Sequence, residues 1–73
     1  MESVTFKVEG IEDETDKVNV INALHKYSGV LDIGVDMHTK LVRVEYDPSN
    51  IRAEDMQQDI EKEKYHVVYV VRN

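Results

Sequence analysis

The chain has 73 residues, with 9 Lys+Arg against 15 Asp+Glu for a formal charge of −6, 41% hydrophobic residues, and neither Cys nor Trp. At this length folding buries only about 60% of the unfolded surface, so a single domain, 1–73, must hold on a thin core without disulfides or thiolate zinc. The carboxylate surplus argues against nucleic acid as a partner, and the longest apolar run, Val67 to Val71, is far below the roughly 20 residues that cross a bilayer, so no membrane insertion is expected.

Val4, Phe6 and Val8 alternate with Thr5, Lys7 and Glu9, which predicts a strand with one buried face, ending at Gly10. From Asp13 to Tyr27 the apolar positions Val20, Ala23, Leu24 and Tyr27, joined by Ile21, take the spacing of an amphipathic helix. Ser28-Gly29 closes it, with glycine suited to left-handed backbone after a helix. Leu31, Ile33, Val35 and Met37 alternate as a second strand; His38-Thr39 turns the chain, and Val42, Val44 and Tyr46 form the returning strand of a hairpin. Asp47-Pro48-Ser49-Asn50 is turn chemistry. A second helix spans about Ala53 to Glu63, with Met56 and Ile60 inward, Glu54 and Asp55 in its first turn, and Arg52 a poor N-cap. Tyr65 to Val71 reads as the last strand.

An internal repeat links the two halves. Adding 36 carries Phe6-Lys7-Val8-Glu9 onto Val42-Arg43-Val44-Glu45, Val20 and Leu24 onto Met56 and Ile60, and Leu31, Ile33 and Val35 onto Val67, Tyr69 and Val71. Two strand-helix-strand units sharing one antiparallel sheet, both helices on one face, predict a ferredoxin-like βαββαβ sandwich of the α+β class.

The charge is localised. Residues 1–16 hold Glu2, Glu9, Glu12, Asp13, Glu14 and Asp16 against Lys7 alone, so nearly all the net charge lies near one loop, where a field of one sign steers an oppositely charged partner.

Over residues 4 to 68 the chain resembles the heavy-metal-associated domain, found in small copper chaperones and in cytosolic tails of metal-pumping P-type ATPases. The matching residues are Val4-Thr5-Phe6-Lys7-Val8-Glu9-Gly10, Val20, Ala23-Leu24, Gly29-Val30, Val35-Asp36, Val42, Val44, Tyr46-Asp47-Pro48, Ala53-Glu54-Asp55, Ile60 and Tyr65. The resemblance implies a loop of the form Gly-Met-x-Cys-x-x-Cys whose two thiolates hold a soft metal. Here the loop reads Gly10-Ile11-Glu12-Asp13-Glu14-Thr15-Asp16: Ile11 stands for the apolar anchor, and Asp13 and Asp16 occupy both cysteine positions. Carboxylate oxygen is a hard donor and Cu(I) a soft ion, so thiolate capture of copper is lost.

Three readings of this loop stand open. Asp13 as N-cap, with Glu14 and Asp16 in the first turn, suits the positive end of a helix. An acidic rim suits docking to a protein with a basic surface, a P-type ATPase domain being one candidate that the resemblance implies. Glu12, Asp13, Glu14 and Asp16 also offer oxygens to a weakly bound divalent cation such as Ca²⁺, Mg²⁺ or Mn²⁺, without EF-hand spacing; no other cofactor is expected. Val18 faces away from the apolar stripe and is a candidate contact residue. Tyr65 matches an aromatic that bacterial members keep near the metal loop, where it shields the site, and simple core packing is the favoured account of it here. Lys64 stands where the family usually has glycine, which predicts a strained or altered turn. His25, His38 and His66 have no ligand spacing.

No enzyme is expected, since no cysteine nucleophile, serine-histidine-acid arrangement or glycine-rich loop is present. An acylphosphatase-like phosphate cradle would need a basic loop after the first strand, where this chain has four carboxylates. RNA binding on such a sheet needs outward aromatics, and Thr5, Lys7, Glu9, Leu41, Arg43 and Glu45 supply none. A small-molecule sensor of the ACT type shares the topology, and a dimer with a ligand cavity at the Gly10 or Gly29 loops would mark it. The opening MESVTFK lacks signal-peptide features, so a cytoplasmic location is expected.

Overall fold

A computed structural model describes residues 1–72. The elements run β1 (Glu2–Glu9), α1 (Glu14–His25), β2 (Val30–Asp36), β3 (Leu41–Tyr46), α2 (Ala53–Lys62) and β4 (His66–Arg72). The sheet is antiparallel in the order β2-β3-β1-β4. Val4, Phe6 and Val8 of β1 and Val42, Val44 and Tyr46 of β3 are buried in one cluster with Val20, Leu24, Met56 and Ile60 of the helices. The period of two in the strands and of three and four in the helices thus meets in one layer, and the ferredoxin-like arrangement is confirmed.

Four local expectations need correction. α1 stops at His25, with Lys26 as C-cap, so Tyr27 lies beyond the helix. Gly29 does not adopt left-handed backbone; a Cβ there would fall 2.8 Å from Asn50 Cβ and 2.9 Å from Ile51 Cγ2, so glycine is required by the approach of the β3–α2 turn. In β2 a register shift between Val30 and Asp32 turns Leu31 to solvent and leaves Val30 buried. In β4 a shift beyond Val67 does the same: Val67 is buried and Val70 packs on the core, whereas Tyr69 and Val71 face outward. A bulge adds one residue opposite its partner strand and so reverses the facing of everything beyond it.

Of the strained or altered turn expected at Lys64 the strain is seen, a non-glycine residue in left-handed backbone at φ +73°. Arg52 provides no side-chain cap for α2; instead Asp55 Oδ2 accepts from the Arg52 backbone N–H at 3.3 Å.

Candidate functional site

The loop between β1 and α1 is fixed at its entry by Gly10, whose φ of +105° L side chains rarely adopt and whose added Cβ would meet Tyr65 Cδ1 at 3.1 Å. Ile11 follows, buried in the core cluster as the loop's apolar anchor. From behind, the β2–β3 turn grips the same loop. Lys40, itself in left-handed backbone at φ +63°, donates from Nζ to the Ile11 carbonyl at 2.5 Å, and its own carbonyl accepts from Val8 N–H at 3.0 Å.

Beyond Ile11 the carboxylates divide by role. Asp13 is the N-cap of α1, in extended backbone, and its Oδ1 accepts from Asp16 N–H at 3.0 Å. Asp16 answers: Oδ2 accepts from Glu12 N–H at 3.0 Å, while Oδ1 accepts from the Tyr65 hydroxyl at 2.8 Å. This is a capping box displaced by one residue, because the returning carboxylate reaches the N–H before the cap rather than the cap's own. The Glu12 N–H and then the Tyr65 hydroxyl hold the Asp16 carboxyl below the usual carboxylate range. Burial, with Asp16 adding to it, pushes the Tyr65 phenol up. Tyr65 therefore combines the two roles read from the sequence: its ring is half-buried against Gly10 and its hydroxyl reaches the loop.

Glu12 and Glu14 are exposed on the rim. Val18 is 49% exposed, beside a shallow depression that it lines with Glu14, Thr15 and Asn19. All four acidic residues singled out from the sequence thus lie on one short segment, yet among the described residues no group of three or more His, Cys, Asp or Glu side chains converges on a point that could hold a metal. A Cβ added at Gly10 would meet the Tyr65 ring, and one at Gly29 would meet Asn50 and Ile51.

A second polar cluster, absent from the sequence reading, lies at the far end of α1. Asp59 of α2 is only 6% exposed; it accepts from the Tyr27 hydroxyl and pairs with Lys26 Nζ at 3.3 Å. Burial works to raise the Asp59 carboxyl, but the Tyr27 and Lys26 contacts outweigh it and leave it below 3.8. The same hydrogen bond, with burial, pushes the Tyr27 phenol up to about 12. In sequence Asp59 is one more acid on a charged helix; only the packing of α1 against α2 distinguishes it.

Residues 5–66 match the heavy-metal-associated domain. The copper chaperone CopZ of Staphylococcus epidermidis is 39% identical over 62 residues, covering 85% of this chain and 91% of that protein, and CopZ of Staphylococcus haemolyticus is 36% identical over the same shares. Among solved structures, a CopZ metallochaperone superposes with a TM-score of 0.88 at 32% identity, covering 90% of this chain and 98% of that one. A copper-binding domain from HMA7, a P-type ATPase, has the same fold at a TM-score of 0.86 and 22% identity, covering 100% and 95%. This chain belongs to the heavy-metal-associated domain family.

Proposed function

We propose that this chain keeps the family scaffold as a cytoplasmic docking module, using the acidic face of the β1–α1 loop to engage a protein with a basic surface instead of carrying copper. One observation carries the reading: the two positions that the family pattern gives to cysteine are aspartates whose oxygens cap α1 and meet Tyr65. Oxygen donors committed to backbone N–H groups and a phenol are both too hard and too occupied for Cu(I). What remains free is charge, on Glu12 and Glu14, beside the exposed Val18. The relatives include chaperones and a P-type ATPase domain, so partners of that second class are the first to try. The family is non-enzymatic, and this chain is not an enzyme.

Two measurements test the proposal. In competition with a Cu(I) chelator the protein should take no copper; an affinity of about −12 kcal/mol or tighter refutes the loss of cargo. Titration with P-type ATPase metal-binding domains that carry a basic face should show binding that weakens as salt rises and that is lost in the Glu12→Lys/Glu14→Lys variant. Binding insensitive to salt and to this reversal excludes the acidic loop as the docking face.

A further inference from the structure

On α1, Glu14, Thr15, Val18 and Asn19 form one exposed strip, since helix positions four apart lie one above the other. They line a shallow depression of about 250 Å³ in which the half-exposed Val18 is the aliphatic member and Glu14 stands at the end next to the acidic loop. The scaffold does not ask for an aliphatic residue there. The repeat offset of 36 carries Val18 onto Glu54 of α2, which pairs with Arg72 at 3.0 Å. Depression and loop are also tied together: Asn19 Nδ2 donates to the Tyr65 hydroxyl at 3.5 Å, and that hydroxyl donates to Asp16 Oδ1 at 2.8 Å. Glu12 and Glu14 enter no ion pair among the described residues, so their charge faces outward uncompensated.

We propose, on the docking reading above, that this depression is the anchor of the docking face and takes a lysine or arginine side chain of the partner, its methylene stem laid across Val18 and its charged head at Glu14. Charge selects the head. Residues 1–16 carry six acids against Lys7 alone, and Glu14 is the acid that lines the depression. Val18 selects the stem. Long basic side chains cover apolar surface with their methylenes while the head stays in water, and a shallow, open depression with an aliphatic floor and an acidic end suits both parts of such a side chain. A short cation would reach Glu14 and leave Val18 in water; an aliphatic side chain would cover Val18 and leave Glu14 unpaired. The Asn19–Tyr65–Asp16 chain orders the floor beforehand, which lowers the entropy lost on contact.

Amide-shift titrations with blocked hexalysine and its 2,4-diaminobutyrate analogue, which carries the same charge on shorter stems, separate stem from head. Hexalysine is expected to bind about threefold tighter or more, with its largest shifts at Glu14, Thr15, Val18 and Asn19. Val18→Ser, a surface change that should keep the wild-type circular dichroism spectrum, is expected to abolish that preference and leave the salt dependence intact. Equal affinity of the two peptides for the wild type, a preference that survives Val18→Ser, or no hexalysine binding up to about 1 mM overturns the anchor and leaves the acidic face standing. Binding of both peptides that neither salt nor Glu12→Lys/Glu14→Lys alters overturns the docking reading, and the anchor with it.

Discussion

Across the first turn of α1 the Asp13 carboxylate accepts from the Asp16 N–H and the Asp16 carboxylate from the Glu12 N–H, so removing either exposes a backbone donor. Without the Asp13 carboxylate the Asp16 N–H loses its acceptor, so Asp13→Ala should lower stability by about 0.5–2 kcal/mol while Asp13→Asn largely keeps it; an unchanged urea midpoint in the alanine variant would deny the cap. Tyr27→Phe strips a hydroxyl from the buried Asp59 and should cost about 1.5–3 kcal/mol. Its pH signature is specific. Asp59 and Asp16 are held below the ordinary 3.8, so their contribution is complete above that value and is lost as pH falls through the folded values. Tyr27 is raised from 10.0 to about 12, so its contribution is complete below 10 and disappears as pH climbs toward 12. Thermal midpoints should therefore drop on both flanks, and the Phe variant should show a smaller alkaline loss than the wild type. The capping role of Asp13 was legible from its place before an apolar periodicity; the lock at Asp59 was not, because its partners come from 32 and 33 residues away in sequence.

At the level of elements, alternation in Val4-Phe6-Val8 and Val42-Val44-Tyr46 named the central strands correctly because each has one buried face and unbroken register. The edge strands read less well. Over Val30–Ile33 and Val67–Val70 the sequence of buried, exposed, exposed and half-buried positions is the same. Val67 therefore corresponds to Val30, one residue out of step with the repeat that relates the other elements. A bulge leaves no mark in composition, and so simple alternation places Tyr69 and Val71 on the wrong face. The turn into β4 also carries Lys64 at φ +73°, a conformation that costs a side chain about 1–2 kcal/mol. Lys64→Gly should raise stability, by up to about 1 kcal/mol after glycine's greater unfolded-state entropy is subtracted; a lower denaturation midpoint in this variant would show that the lysine gains more from its surroundings than its backbone loses.

For the molecule as a whole, fold and cargo separate. The core cluster draws on all six elements and on Ile11, and none of its members is a metal ligand. Restoring sulfur alone should then suffice: Asp13→Cys with Asp16→Cys is expected to strengthen Cu(I) affinity by at least about 1,000-fold, roughly 4 kcal/mol, in chelator competition. A double variant that folds but still takes no copper would place the defect in the loop's geometry, with Tyr65 or Lys64 as the next residues to change. The family resemblance identified the scaffold and the substituted positions together, whereas the destination of each carboxylate oxygen required coordinates.

Because the Lys40 ammonium and carbonyl clasp the chain on either side of Gly10, the bend into the β1–α1 loop is braced by the protein's own hairpin. Many small metal sites collapse when emptied, since ligand and fold are secured by one event. Here bracing from outside holds the bend without an ion, which leaves the exposed Glu12 and Glu14 open to another occupation.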